Sequence, residues 1–239
     1  MGMKQILRIA AFAALSVLIA SGLSRPGAAG EGPVVVELFT SQGCSSCPPA
    51  DALLDELTEQ PDVIALSFHV DYWDYIGWQD PFADPAYTQR QRNYRPHLGN
   101  RFIYTPQMVI DGHIDVVGSR RGQVTRAIEE ARADEKLPVS LTRDSVSLPA
   151  GTAPKGGATV WIAFLDERHE TQVGAGENGG RKLVNSHVVR KLSAIGTWKG
   201  EALSIPLAGN ESDAGRYGCA VLVQENGSGR ILGAAFMTL

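Results

Sequence analysis

Between Pro33 and Val70 the chain leaves few folds open. The run PVVVELFT, Pro33 to Thr40, is β-branched and almost continuously apolar, as a strand buried on both faces is. The next segment, SQGCSSC, holds Cys44 and Cys47 three apart. PPADALLDELTEQ then carries Ala50, Leu53, Leu54 and Leu57 at i, i+3, i+4 and i+7, one face of an amphipathic helix. DVIALSFHV, Asp62 to Val70, is a second apolar strand. A strand, helix and strand of these lengths close as a right-handed parallel βαβ unit.

Residues 71–104 break this pattern and hold nine of the seventeen aromatics. One helix is expected near Pro85 to Arg95. PQMVIDGHIDVVG then reads as two strands around Asp111-Gly112, a dipeptide suited to a two-residue hairpin turn. Ser119 can cap a following helix with Val124, Ala127, Ile128 and Ala131 inward. From about Leu137 alternating segments recur between Gly-rich turns, with no helical period. Six or seven strands there suggest a small antiparallel β-sandwich. The expected organisation is a signal segment over 1–29, an α/β domain over 30–136 with the aromatic-rich insert 71–104, and a β-sandwich-like domain over 137–239.

The order strand, helix, strand, hairpin, helix is the minimal thioredoxin arrangement, and its first strand–helix junction is where a Cys-x-x-Cys redox centre sits. A helix N-terminus offers free N–H groups and the positive end of a dipole, which stabilise a thiolate. Cys44 is expected as the exposed attacking sulfur and Cys47 as the resolving one. Prolines 48 and 49 fit a first turn, where a missing N–H costs little.

Pro106, in YTPQMVIDG, holds the place of the cis-proline that faces the cysteines in thioredoxin-like proteins; an ordinary trans proline at a strand start is the alternative. The Thr105 backbone could then pair with an extended client. Glu37, inside an apolar strand, could take the proton of Cys47, or it could reach solvent at a strand edge. His69, Asp71, Trp73 and Trp78 leave the C-terminal end of the second strand, where ligand crevices form; core packing is the competing reading for His69 and the tryptophans. Arg90, Arg92, Arg95 and Arg101 either raise the local potential or form a solvated helix face. Cys219 reads as a core thiol and His187 as a surface strand residue. The remaining histidines, His97, His113 and His169, have no mutual spacing that suggests a metal site.

VVELFTSQGCSSCPPADALL, FHVDYWDYIGWQDPF, YTPQMVIDG and GENGGRKLVNSHVVRKL together resemble the exported bacterial proteins of the domain-of-unknown-function family 1223, over nearly all of the chain after residue 29. The resemblance implies a thioredoxin-like fold, export and a redox site. It implies no substrate.

The first residues support export. Lys4 and Arg8 precede an apolar run from about Ile9 to Leu23, and small residues end at Ala28-Ala29-Gly30, the layout of a cleavable signal peptide. The run is short for a membrane span. Of 22 basic residues, Lys4, Arg8 and Arg25 would leave and no acid with them, so the net charge moves from −4 to −7. Such a surface has no footprint for nucleic acid. A periplasmic or secreted setting permits disulfides.

The leading expectation is an exported thiol–disulfide oxidoreductase acting on protein or small thiol clients, with no cofactor and no metal. Two other readings stand beside it. One is a copper carrier using Cys44, Cys47 and His69. The other is a non-catalytic envelope binding protein with a structural disulfide.

Overall fold

The structure, a computed structural model, describes residues 32–207 and 215–239. The expected signal segment lies outside the described residues. Among the described residues no helix is long and apolar enough to cross a membrane.

The protein is a mixed α/β fold built on one large, mostly antiparallel sheet. β1 (Val34–Thr40) and β2 (Val63–His69) run parallel, in register from Val34↔Val63 to Thr40↔His69. Every residue of both is buried. α1 (Pro48–Thr58) connects them and turns Ala50, Leu53, Leu54 and Leu57 inward as its periodicity predicts, with Asp51 among them. α2 (Pro85–Tyr94) is the helix of the aromatic insert, capped by the Asp84 side chain on Ala86 N–H at 2.7 Å.

β3 (Gln107–Ile110) and β4 (Ile114–Val117) form the expected hairpin. Asp111 and Gly112 have φ of 45° and 72°, the left-handed pair that a two-residue turn requires. A Cβ on Gly112 would lie 1.9 Å from the Gly229 carbonyl oxygen, so no other residue fits. α3 (Arg121–Arg132) buries Val124, Ala127, Ile128 and Ala131 as expected. Ser119 does not cap it; the N-cap is Arg120, without a side-chain bond.

The C-terminal strands divide in a way that alternation does not foretell. β5 (Ser140–Leu141), β6 (Ser145–Leu148) and β9 (Leu203–Pro206) make a small separate sheet. β7 (Ala158–Gln172), β8 (Lys182–Trp198), β10 (Gly218–Glu225) and β11 (Ile231–Thr238) instead continue the large sheet, whose order is β11-β10-β7-β8-β2-β1-β3-β4. The join is a parallel pairing of Ser67 with Val188. β7 and β8 have 15 and 17 residues, well beyond the usual 5–6 or so, and their paired ends project past the join.

Strand alternation sorts the core. Val34, Val36 and Leu38 pack with α1 and α3, whereas Val35 and Phe39 pack with Tyr87 and Tyr94 of α2 and with β7, β10 and β11. A third cluster, around Trp198, Phe164 and Val221, lies under the small sheet. Each such large side chain contributes about 1.5–3 kcal/mol by leaving water.

Candidate functional site

Cys44 and Cys47 form a disulfide at the β1–α1 junction, with their Cα atoms 5.4 Å apart. Cys47 is the N-cap of α1 and its carbonyl accepts from Ala50 and Asp51 N–H at 2.8 and 3.1 Å. The placement follows from the sequence: two prolines begin the helix, and the apolar strand ends at Thr40. The exposure does not. Cys44, expected to face solvent, is fully buried, as is Cys47, and Ser45 and Ser46 between them are exposed.

Two elements cover the pair. Trp73 packs so closely on Gly43 that a Cβ there would meet its own Cβ at 3.1 Å. The turn joining β7 to β8, with sequence VGAGENGGR, lies over the cysteine loop. Asn178, fully buried, donates from Nδ2 to the carbonyls of Gln42 and Cys44, both at 2.9 Å. The Glu177 carboxylate accepts from Ser45 N–H at 3.1 Å, and its bonding to Ser45 holds its carboxyl below the usual range. Gln42 fixes the same turn from below, donating to Thr171 and Asn185 and accepting from Trp78 Nε1. Sequence reasoning took the Gly-rich segment for a plain turn; the signal it missed was the unusual length of the strands on either side.

Beneath the loop, on the sheet face that α1 covers, lies a buried ionisable cluster. Asp51 is 5% exposed and accepts from Thr40 Oγ1 at 2.8 Å. Burial raises its pKa to about 7, against a smaller lowering by His69. His69, fully buried, bonds through Nδ1 to Asp80 Oδ2 at 2.7 Å, and its Nε2 has no partner among the described residues. Burial alone would lower the His69 pKa, but the charge and hydrogen bond of Asp80 outweigh it and the net shift is upward. Burial likewise opposes the Asp80 carboxylate, yet His69 and the N–H groups of Gln42 and Phe82 hold it below its ordinary value. Each partner thus favours the charged form of the other.

Glu37 is not part of this cluster, which corrects its expected role as proton acceptor for Cys47. Alternation points it to the α2 face with Val35 and Phe39. There Oε1 accepts from Arg90 Nε and Nη2 at 2.8 and 2.6 Å, and Oε2 accepts from Tyr94 OH. Asp71 also turns to α2, accepting from Thr88 Oγ1 at 2.5 Å. The residue that sequence reasoning missed is Asp51. It falls one turn after Cys47 on the apolar stripe of α1, and an acid in that stripe is the signal that could have found it.

Thr105 and Pro106 are joined by a cis bond. Thr105 Oγ1 accepts from Trp73 Nε1 at 2.8 Å, so Trp73 touches both the cysteine loop and the proline loop. Pro106 carbonyl accepts from Gly118 N–H at 2.9 Å, and Gly118 abuts Ala50 in the first turn of α1. Among the described residues no group of three or more His, Cys, Asp or Glu is placed to hold a metal ion. Cys219 is buried in β10. His187 corrects another expectation: it is 9% exposed, has φ of 46°, and stacks on Phe236. It lines a cavity of about 640 Å³ with Pro33, Asp62, Tyr217 and Phe236, which contains none of the expected site residues.

The chain is 35% identical to a protein of Agrobacterium tumefaciens whose crystal structure it matches with a TM-score of 0.74, over 87% of this chain and 96% of that one. It also matches HBP35 of Porphyromonas gingivalis, with a TM-score of 0.58 and 15% identity over 87% of this chain and 76% of that one, a likeness of fold alone. No curated protein sequence matches it. The family model described as a protein of unknown function, DUF1223, matches residues 35–224, and the chain belongs to that family.

Proposed function

We propose that this member of the DUF1223 family is an exported thiol–disulfide oxidoreductase. Residues 33–136 would act as a thioredoxin-like unit, and residues 137–239 as a β-rich unit that supplies its cover. One observation carries the reading: a Cys-x-x-Cys disulfide sits at a strand–helix junction one turn above the buried Asp51 carboxyl, whose pKa burial pushes up to about 7.

A client thiolate attacks Cys44 Sγ. The Cys44–Cys47 bond breaks, and Cys47 leaves as a thiolate that takes the Asp51 proton. A second client thiolate then attacks the mixed disulfide and frees Cys44. The client loses two electrons and becomes a disulfide; the cysteine pair gains them. The reverse sequence reduces a client disulfide, with Asp51 accepting the Cys47 proton. Thr105 and Pro106 would hold the client backbone beside the sulfurs, while Trp73 and Trp78 wall the groove. Because both sulfurs are buried, the Gly-rich turn must lift before either step.

The test is a Cys47→Ser chain expressed with its leader. Stable mixed disulfides on Cys44, released by reductant, are expected in periplasmic extracts. Their absence, with the variant folded, contradicts the reading. A second reading is favoured by the same burial: the disulfide is a permanent clip. It requires that native protein resist millimolar reductant until it unfolds, which the redox reading does not allow.

A further inference from the structure

Among the described residues, three arginines around the end of α2 have no acidic partner. Arg90 of the same helix is paired with Glu37, and Arg121, Arg132, Arg190, Arg216 and Arg230 each pair with a carboxylate; Arg120, Arg126, Arg143 and Arg181 also stand outside the ion pairs of the described residues, so what sets the three apart is their grouping beside an exposed ring. Arg92, Arg95 and Arg101 are in no ion pair among the described residues; Arg95 reaches only the Arg101 carbonyl, at 3.4 Å. All three are exposed, on a chain whose net charge is negative.

Arg92 and Arg95 line a cavity of about 540 Å³ with Gln89, Phe102 and Ile103; Arg101 borders it through the Phe102 ring and the Arg95 contact. Phe102 is 73% exposed, with the Arg101 guanidinium 5.7 Å from its ring centre. With Tyr75 it is one of two exposed large hydrophobic side chains among the described residues, and both belong to the aromatic insert. The helix dipole explains cations in the last turn of α2, hence Arg92 and Arg95. It explains neither Arg101 nor an aromatic ring left in water.

The position adds the rest. Phe102 lies three residues before Thr105, a span of at most about 10 Å. Thr105 is bonded to Trp73, which packs on Gly43 beside Cys44. A segment lying in the arginine cleft can therefore continue past Thr105 to the sulfurs. Guanidinium groups match carboxylates in geometry and charge, and an exposed ring at their centre matches an apolar side chain.

We propose that the Arg92, Arg95, Arg101 and Phe102 cleft is the docking surface for a polypeptide client, and that it selects extended segments in which acidic residues and an apolar side chain flank the client cysteine. The inference rests on the redox reading, and binding separates it from exchange. Fluorescent peptides of one sequence, flanked by Glu-Glu-Leu or by Lys-Lys-Leu, are titrated into the oxidised protein with serine in place of cysteine. The acidic peptide should bind about tenfold more tightly at low salt, with the margin falling to about twofold at high salt. Arg92→Gln/Arg95→Gln/Arg101→Gln should abolish the preference, and Phe102→Ser should weaken both peptides. Equal binding of the two peptides, or an unchanged preference in the triple variant, overturns the proposal. The same peptides with cysteine restored then report exchange: a bound acidic peptide that never exchanges contradicts the redox reading and leaves the docking surface standing.

Discussion

Asn178 reaches from the turn between β7 and β8 to the carbonyl of Cys44, 2.9 Å away and 134 residues distant in sequence. That bond, with its twin to Gln42, holds the turn over the buried cysteine pair. Asn178→Ala removes both bonds; the Cys44 carbonyl keeps the Cys47 N–H, and loss of the donor to the Gln42 carbonyl should cost about 1–3 kcal/mol before relaxation. Reduction of the disulfide by a small water-soluble phosphine should accelerate about tenfold or more. Stopped-flow reduction under native conditions reads this directly; an unchanged rate would mean that the turn is not the cover.

Asp51 sets a pH dependence. Its folded pKa, about 7, lies above its ordinary value of 3.8. The stability it contributes is therefore complete below about pH 4 and is lost as pH rises to about 7. Asp51→Asn should flatten urea-unfolding stability across that interval, and the exchange rate should lose its inflection near neutrality. A variant whose exchange profile keeps that inflection would assign it to another group.

The His69–Asp80 pair behaves in the opposite sense on each side. The raised imidazole contributes stability below its unfolded pKa of about 6.5 that fades as pH rises through the folded value. The lowered carboxyl contributes stability above about 3.9 that fades as pH falls. Asp80→Asn leaves a buried charge unpaired and should cost about 3–5 kcal/mol, with the deficit greatest between about pH 4 and 6.5. Urea denaturation at pH 5 and pH 8 tests this, and equal deficits at the two values would contradict it.

Much of the site was legible in the chain. The apolar runs on both sides of Cys44-Ser-Ser-Cys47 placed the pair at a strand–helix junction, and Asp111-Gly112 marked its hairpin. Two things were not legible. Apolar continuity in Val34–Thr40 hides strand parity, so the chain alone leaves Glu37 between a proton path to Cys47 and a strand edge, whereas it lies buried against Arg90 on the α2 face. The cover depends on the pairing of Ser67 with Val188, a contact across 121 residues that no local period encodes; it brings the β7–β8 turn to the cysteines and extends the sheet with strands that alternation alone suggested for a sandwich.

Glu37 offers a control for that parity. Glu37→Ala leaves the Arg90 guanidinium buried without its carboxylate and should cost about 3–5 kcal/mol in stability. Exchange by the folded fraction should nevertheless keep the wild-type pH profile, because Glu37 lies across the sheet from α1. A shifted profile, measured well below the melting temperature, would restore Glu37 to the proton path.

The central claim is that Cys44 and Cys47 form an exchangeable couple and not a fixed clip. Equilibration of the folded protein with glutathione buffers, followed by acid quench and thiol alkylation, measures its reduction potential. A value between about −120 and −270 mV, in the range of exchanging dithiols, is expected. A value below about −300 mV, in the range of structural disulfides, would contradict it.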